Sequence, residues 1–265
     1  MKNNDGSVTL LPEVPSDYKQ ERLDAWSHLS FRWLSYSKQD TFHRKSLSKV
    51  AESIRNLARD AGIKDQAFVD LGCGPGLLLH EIRNEELFSQ LAGIDFCHKM
   101  LEVAKSHNAM AIGTTNYYRV DLERPLPEDH VKLRHKFHVA SATFLLDEVG
   151  DLHRCLRTIA TLLRSRGHLV IASLASKRER ERYNALIGIE PQHQADELLM
   201  RKNLYFNGTR SPFPYFRIIR ADDVVIRAAG RAGFRLVSDE IISASDLESR
   251  SDGPFLRLLV LQRSN

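Results

Sequence analysis

The sequence predicts an α/β fold, a doubly wound and mostly parallel sheet with helices on both faces. The first observation is an apolar run, residues 68–71, which leads into a glycine-rich turn at 72–76 and then into a helical segment. The second is another apolar run that closes on Asp95, nineteen positions after Gly76, an interval that accommodates one helix and one returning strand. The third is the continued alternation of strand-like and helix-like segments, which is typical of parallel sheets.

The glycine-rich turn indicates a ligand site, because glycines at 72, 74 and 76 permit tight bends and a close approach of a ligand to the backbone. The helix that follows adds unpaired N–H groups and a partial positive charge. A dinucleotide fingerprint needs a glycine at the position of Leu77, and Pro75 removes one N–H from the turn. No Gly-Lys-Ser/Thr run follows, so a P-loop is excluded as well.

Together, the turn and the two acids beside it resemble a known family. The stretch from Asp70 to Gly76 matches the pattern D/E-x-G-x-G-x-G, and Asp95 matches the acid that closes the second strand, in the class I S-adenosylmethionine (SAM)-dependent methyltransferases. The resemblance covers residues 45–175 well and the flanks in outline. It implies a Rossmann-like sheet of seven mostly parallel strands and SAM as the cofactor.

The resemblance also implies which residues contact the cofactor. The methionine end of SAM would meet the turn, its ribose hydroxyls would bond to Asp95, and its adenine would lie among side chains that follow the second and third strands. At Asp121, a carboxylate suits the adenine amine because it accepts hydrogen bonds from an amine donor. The expected cofactor-binding residues are Asp70, Gly72, Cys73, Gly74, Gly76, Asp95, Phe96, Met100, Asp121, Leu122 and Thr143.

Composition favours a globular protein in a reducing compartment. The chain has 265 residues, 42% of them hydrophobic, and three cysteines without a CxxC pair. With no apolar leader at the N-terminus, these features predict a cytoplasmic protein. No run approaches the ~20 apolar residues that span a bilayer, so no membrane partner is expected. A net charge of +4, spread along the chain, argues against a nucleic-acid partner.

Two amphipathic helices are predicted before the glycine-rich turn. Residues 1–16 are polar and contain two prolines, which predicts a flexible tail. From residue 17, apolar side chains recur at every third or fourth position. A second apolar stripe over 41–61 ends at Gly62, which has the position of a C-terminal cap. Residues 17–62 are thus predicted to form an N-terminal helical lid and cap.

The role of the first helix has two interpretations. It is either a lid that carries Trp26, Trp33 and Tyr36 over the cofactor, as the resemblance implies, or a helix that only packs on the domain.

Residues 63–265 are predicted to form the SAM-binding domain. Its further predicted elements are strands at 117–120, 137–142, 168–174, 234–242 and 255–261, helices ending at 107 and spanning 152–163 and 222–233, a charged connection at 128–136 and a turn at 164–167.

The end of the fourth predicted strand carries the candidate reactive groups. The resemblance places a small polar residue near the methyl-bearing sulfur, and Thr143 has that position. Asp147 and Glu148 are weak catalytic candidates, because a pair of acids can act as a base or bind a substrate amine; alternatively, they only stabilise a helix start. The strand end has neither an Asn/Asp-Pro-Pro-Tyr/Phe run nor a Pro-Cys pair, which makes methylation of nucleic-acid bases an unfavoured function.

The interval 175–219 is predicted to be an insertion that covers the substrate, as the resemblance implies, and the alternative is a small core under a long loop. It is rich in aromatic residues that are interleaved with prolines. The expected substrate-contacting residues are Tyr36, Phe144, Tyr183, Tyr205 and Tyr215. No metal site is predicted.

The predicted function is a SAM-dependent methyltransferase that acts on a small organic molecule by direct displacement at the sulfonium methyl group. One alternative uses the same pocket to cyclise the aminobutyrate chain of SAM, giving azetidine-2-carboxylate and methylthioadenosine. A non-enzymatic SAM-binding module is the least favoured alternative. The sequence fixes neither the acceptor nor the oligomeric state.

Overall fold

A seven-stranded sheet is the central feature of the computed structural model, which describes residues 9–11, 13–63, 65–83, 87–109, 115–175, 197–206, 209–243, 246–247 and 255–265. Its strands are β2 (Gln66–Leu71), β3 (Phe88–Asp95), β4 (Thr115–Arg119), β5 (Phe137–Thr143), β6 (Leu163–Leu174), β9 (Phe234–Ile242) and β10 (Leu256–Arg263). They lie in the order β4-β3-β2-β5-β6-β10-β9. Strand β10 is antiparallel to both of its neighbours, β6 and β9, and the other four pairs of neighbouring strands are parallel, so the predicted mostly parallel sheet is confirmed.

Helices cover both faces of this sheet. They are α1 (Tyr18–Gln39), α2 (Thr41–Ala61), α3 (Leu77–Ile82), α4 (His98–His107), α5 (Leu152–Leu162) and α6 (Asp222–Arg231), with short 3-10 helices at Glu128–Leu133 and Leu146–Glu148. One apolar core contains buried side chains of α5, and a second contains those of α2, α3 and α4. This is the doubly wound arrangement, in which each face of a parallel sheet is buried.

Local sequence signals fix the bounds of α2. The Asp40 side chain accepts a hydrogen bond from the His43 N–H at 2.7 Å, which caps the N-terminus. At the other end Gly62 adopts the left-handed conformation, with φ of 60°. The observed helix therefore matches the predicted span 41–61.

Three segments that were predicted to lack regular secondary structure differ from the prediction. Residues 164–167, predicted as a turn, belong to β6, although the pairing with β5 shifts register here and Arg166 has φ of 62°. The charged connection at 128–136 contains a 3-10 helix. Residues 9–11, predicted as part of a flexible tail, form strand β1 (Thr9–Leu11), which pairs with residues 199–201. That pairing joins segments far apart in sequence, so no local sequence pattern predicts it.

A second sheet is built by β1, β7 (Glu197–Phe206) and β8 (Thr209–Arg220), all antiparallel, in the order β1-β7-β8. Helix α1 packs on it through a small apolar cluster, in which the rings of Tyr18 and Phe216 lie 5.6 Å apart. The N-terminal helix and the second half of the 175–219 interval therefore pack together. Residues 176–196, with Tyr183, lie outside the described part of the chain.

Among the described residues, no helix has the length and apolar character that a bilayer crossing requires.

Candidate functional site

A cavity of about 410 Å³ lies at the carboxyl ends of β2, β3 and β5. The chain passes from β2 to β3 and β4 on one side and then returns to form β5 on the other side, so this edge is a topological switch point, where α/β sheets bind ligands. The cavity brings together all but one of the residues expected to contact the cofactor, namely Asp70, Gly72, Cys73, Gly74, Asp95, Phe96, Met100, Asp121, Leu122 and Thr143. The exception is Gly76.

The three glycines of the turn have φ values of 65°, 50° and 75°, in the region that favours glycine. A Cβ at Gly72 would approach Leu145 to 2.9 Å, and one at Gly76 would approach the Asn108 side chain to 2.7 Å. These two glycines therefore permit close packing. A Cβ at Gly74 would meet no atom within 4 Å, because this glycine borders the open cavity. The backbone at Gly74 is thus the part of the turn that a ligand can lie against.

Two buried acids organise the turn. Ser141 donates a hydrogen bond to Asp70 at 2.7 Å. The Asp95 carboxylate accepts the N–H groups of Gly74 at 2.9 Å and Cys97 at 2.8 Å. Burial raises the pKa of Asp70 to about 7; the Ser141 bond opposes this shift and the charge of Asp95 adds to it. Burial also raises the pKa of Asp95, against the hydrogen bonds from the backbone.

The expected adenine end of the cavity is tied to α1. Lys19 donates to the Asp121 carboxylate at 2.7 Å. Glu123, which the sequence reasoning missed, is buried and accepts hydrogen bonds from the Tyr18 hydroxyl and from Arg22, the latter at 3.4 Å. Tyr18 and Lys19 lie four and three positions before Arg22, the spacing of neighbours on a helix surface, which was the available signal for a contact surface on α1.

Arg22 was also missed, and it lines the same end of the cavity. Its guanidinium carbon lies 5.1 Å from the centre of the Phe96 ring. Met100 is 3% exposed, so only a small part of this side chain borders the cavity. An aromatic ring and an arginine together suit a flat, nitrogen-rich ring such as adenine.

Glu148, which also lines the cavity, connects two cover segments. Its two oxygens accept hydrogen bonds from Trp26 Nε1 of α1 at 2.7 Å and from the Tyr215 hydroxyl of β8 at 2.6 Å. Burial raises the pKa of Glu148, while the charge of Arg22 and these two hydrogen bonds lower it. Arg217, a further residue missed from the sequence, donates to the neighbouring Asp147 at 2.6 Å. Both weak catalytic candidates are therefore engaged with cover residues.

Aromatic side chains form a further part of the cavity wall. Phe144 has φ of 57°, a conformation that costs a non-glycine residue about 1–3 kcal/mol, and its N–H donates to the Ala172 carbonyl at 2.7 Å. The His43 ring stacks on Phe144, and Trp33 meets His43 edge to face. His43 was missed as well, since a lone histidine in an amphipathic helix gives no distinctive signal.

The expected substrate contacts are partly in place. Tyr36, Phe144 and Tyr215 line the cavity. Tyr205 lies in β7, but its side chain is not among those described, and Tyr183 falls in the undescribed interval.

The cavity fits SAM on two structural grounds. Gly74 presents backbone without a side chain to the open space, which the methionine end of SAM requires of this turn. Thr143 lines the cavity, and its hydroxyl oxygen Oγ1 is buried without a hydrogen-bond partner among the described residues. A buried polar atom without a partner is costly, so a bound polar group would stabilise it.

Comparisons with known proteins agree with this geometry. Residues 64–206, more than half of the chain, match the family model of a methyltransferase domain. The ubiquinone biosynthesis O-methyltransferase of Yersinia enterocolitica is 27% identical over 135 residues, which are 51% of this chain and 52% of that protein. The protein of the same name from Pelagibacter ubique is 30% identical over 141 residues, 53% of this chain and 55% of that protein. The chain thus spans about half the length of these two relatives.

A solved structure shares the fold over the whole chain. The 1,6-didemethyltoxoflavin-N1-methyltransferase of Burkholderia thailandensis aligns with a TM-score of 0.60 at 11% identity, over 100% of this chain and 98% of that chain. Likeness at this identity shows the fold. The family match, together with the switch-point cavity and its glycine turn, identifies the chain as a member of the SAM-dependent methyltransferase family, whose cofactor is SAM.

Proposed function

We propose that this transferase moves the methyl group of SAM to a small organic acceptor by direct displacement at the sulfonium carbon. The observation that carries the proposal is that the lining of the cavity combines two sets of residues, which we call its cofactor half and its acceptor half. One half consists of the glycine turn and the acids that end β2 and β3. The other half is the set of aromatic side chains that α1, α2, β8 and the residues after β5 contribute, and Thr143 directly precedes Phe144 of this set.

The cofactor half holds SAM in the proposed complex. The turn at Gly72, Cys73 and Gly74 receives the methionine end, and Asp95 receives the ribose hydroxyls. The adenine lies between Phe96 and Met100, with Asp121 and Leu122 at its edge. SAM supplies a methyl group that its sulfonium already activates, so the protein mainly has to align the acceptor and exclude water. Alignment of this kind contributes on the order of 7–11 kcal/mol to catalysis.

The aromatic half takes the acceptor in the proposed complex. Its cover consists of the lid at 17–62 and the insertion at 175–219, whose described parts meet at Glu148. The cavity volume of about 410 Å³ lies in the range of small-molecule sites, which favours a small molecule over a protein or a duplex. The Burkholderia structure holds 1,6-didemethyltoxoflavin and S-adenosylhomocysteine, and that precedent supports a small ring-containing acceptor here.

Incubation with SAM alone and with candidate acceptors, followed by mass spectrometry of the nucleosides, tests this proposal. We expect adenosylhomocysteine only when an acceptor is present. Methylthioadenosine formed from SAM alone would instead support cyclisation of the aminobutyrate chain. Binding of SAM without either product, across phenolic and amine acceptors, would support a module that binds SAM without catalysis.

A further inference from the structure

His43 stands in the wall of the acceptor half. It lies in the first turn of α2 and lines the cavity. Its ring stacks on that of Phe144, with centres 5.5 Å apart and planes 28° apart, and the Trp33 ring meets it edge to face at 5.1 Å. The His43 ring therefore lies between the Phe144 and Trp33 rings, and the imidazole contributes polar atoms to this otherwise apolar group.

The ring nitrogens of His43 have no hydrogen-bond partner among the described residues. The nearest acid, Asp40, is engaged elsewhere: one oxygen accepts the backbone N–H of His43 at 2.7 Å and the other accepts the Tyr36 hydroxyl at 3.1 Å. Thr143, which precedes Phe144 in the chain, has a buried hydroxyl without a partner. Two side chains with unused hydrogen-bonding capacity thus flank Phe144.

The two acids of the acceptor half, Glu148 and Asp147, already have hydrogen-bond or ion-pair partners. Both oxygens of Glu148 accept hydrogen bonds from the cover, and Asp147 is paired with Arg217. A hydroxyl such as that of Thr143 is not basic enough to remove a proton. Among the described residues of the acceptor half, the imidazole is therefore the group best suited to accept one.

Burial lowers the pKa of His43 to about 4, and the charge of Asp40 opposes this shift. The imidazole is therefore neutral near pH 7 and keeps a lone pair available. A negative charge that develops on a neighbouring atom in a dry site favours the charged imidazolium and raises this pKa. Once the acceptor atom is neutral again, the pKa falls and the proton leaves for solvent.

We propose, building on the proposed methyl transfer, that His43 is the general base and that the acceptor is a flat aromatic ring bearing a hydroxyl group. The acceptor ring lies against Phe144 and Trp33. The O–H bond breaks, the proton moves to a ring nitrogen of His43, and the electron pair stays on the oxygen. That oxygen is the atom that receives the methyl group.

Two phenolic probes and one variant test this proposal. Catechol has a weakly acidic hydroxyl and needs a base, whereas the nitro group of 4-nitrocatechol makes its hydroxyl acidic enough to be ionised at pH 8. The variant His43→Phe keeps a flat ring and removes both nitrogens. We expect its kcat/KM for catechol to fall by about 10²- to 10⁴-fold, the usual contribution of a general base, and its kcat/KM for 4-nitrocatechol to change by less than about tenfold. Equal losses for both probes would show that His43 only packs, and would overturn the proposal.

Binding measurements separate this proposal from the proposed function. Calorimetry should give the same S-adenosylhomocysteine affinity for His43→Phe and the natural protein, which also shows that the variant folds. If the natural protein binds SAM but methylates neither phenol, the phenolic acceptor is wrong and the cofactor assignment stands. If it binds no SAM, the proposed function fails as well.

A second variant addresses the rival base. Glu148→Gln should lower the rates with both probes together, because it disturbs the cover. A loss confined to catechol would assign the proton to Glu148 and overturn the role of His43. The absorbance of 4-nitrocatechol bound beside S-adenosylhomocysteine gives a readout without turnover, and we expect the ionised spectrum in both His43→Phe and the natural protein.

Discussion

The Asp95 carboxylate joins two backbone segments, because it accepts N–H groups of both Gly74 and Cys97. A carboxylate has about four acceptor positions, so these two bonds leave capacity for the ribose hydroxyls of SAM. Its burial makes the charged form costly unless such donors surround it. Asp95 thus both shapes the turn and has the capacity to hold the sugar.

Replacing Asp95 with Ala should weaken SAM binding by about ten- to a hundredfold, since hydrogen bonds to charged groups contribute about 1.5–3 kcal/mol. Asp95→Asn is the matched control, because it keeps one carbonyl oxygen and should lose less. Calorimetry measures both affinities, and circular dichroism shows whether the fold is intact. Unchanged affinity in a folded Asp95→Ala protein would contradict the ribose assignment.

Asp70 gives a prediction about pH. Burial raises its pKa from 3.8 to about 7, so the folded protein holds this proton over a range in which the unfolded chain has lost it. The stability linked to Asp70 is therefore fully present below about pH 4 and is lost as the pH rises through about 7. The positive charges of SAM favour the ionised carboxylate, so SAM should bind more tightly at pH 8 than at pH 6.

Calorimetry in two buffers with different ionisation enthalpies measures this effect, because a proton should be released when SAM binds at pH 6. Asp70→Asn cannot titrate and should show no such proton release from this position. Equal SAM affinity of the natural protein at pH 6 and pH 8 would be evidence against a neutral Asp70.

At the scale of elements, the predictions succeeded where the signal was local. The cap residues on either side of α2 and the apolar run before the glycine turn define their elements within a few residues. The same holds for β9, observed as Phe234–Ile242, which matches the predicted strand. All three glycines of the turn have positive φ, and two of them, Gly72 and Gly74, border the cavity, so the glycine spacing located the turn of the site.

The predictions failed where the signal depends on distant partners. Strand β1 forms only because β7 pairs with it across about 190 residues of sequence, as the partners Leu11 and Leu199 show. Glu123 and His43 acquire their places in the site from contacts with other elements. A pattern of residue types cannot show which acid is buried against which helix.

The link at Glu148 yields a prediction about α1 and β8. Glu148→Gln keeps one acceptor oxygen and replaces the other with an NH₂ group, which donates. The Trp26 N–H and the Tyr215 hydroxyl can then no longer each donate to an oxygen of their own. We expect faster hydrogen exchange in α1 and β8 of this variant. Glu240→Gln, an exposed position in β9, is the matched control and should leave exchange in both elements unchanged. Normal exchange in Glu148→Gln would show that the link does not stabilise the cover.

At the scale of the whole molecule, the cover is attached to the sheet on both sides of the cavity. Glu123 holds α1 at the cofactor half, and Glu148 holds α1 and β8 at the acceptor half. Arg220 adds a further link, since its guanidinium donates to the carbonyls of Leu146 and Val149. Because α1 also packs on the second sheet, the described parts of the cover are expected to move as one unit.

The two-sided attachment predicts how the whole molecule responds to ligand. A displacement at a sulfonium needs a closed, dry site, yet SAM must first enter, so the cover has to open and close. In the proposed complex S-adenosylhomocysteine bridges the turn and the adenine end, and it should therefore slow hydrogen exchange in α1 and the β7–β8 hairpin together. Helix α6 and strand β9 contribute no residue to the cavity wall and serve as internal controls with unchanged exchange. Protection of α1 without the hairpin would show two independent lids, whereas equal exchange with and without ligand would leave the aromatic residues as ordinary core.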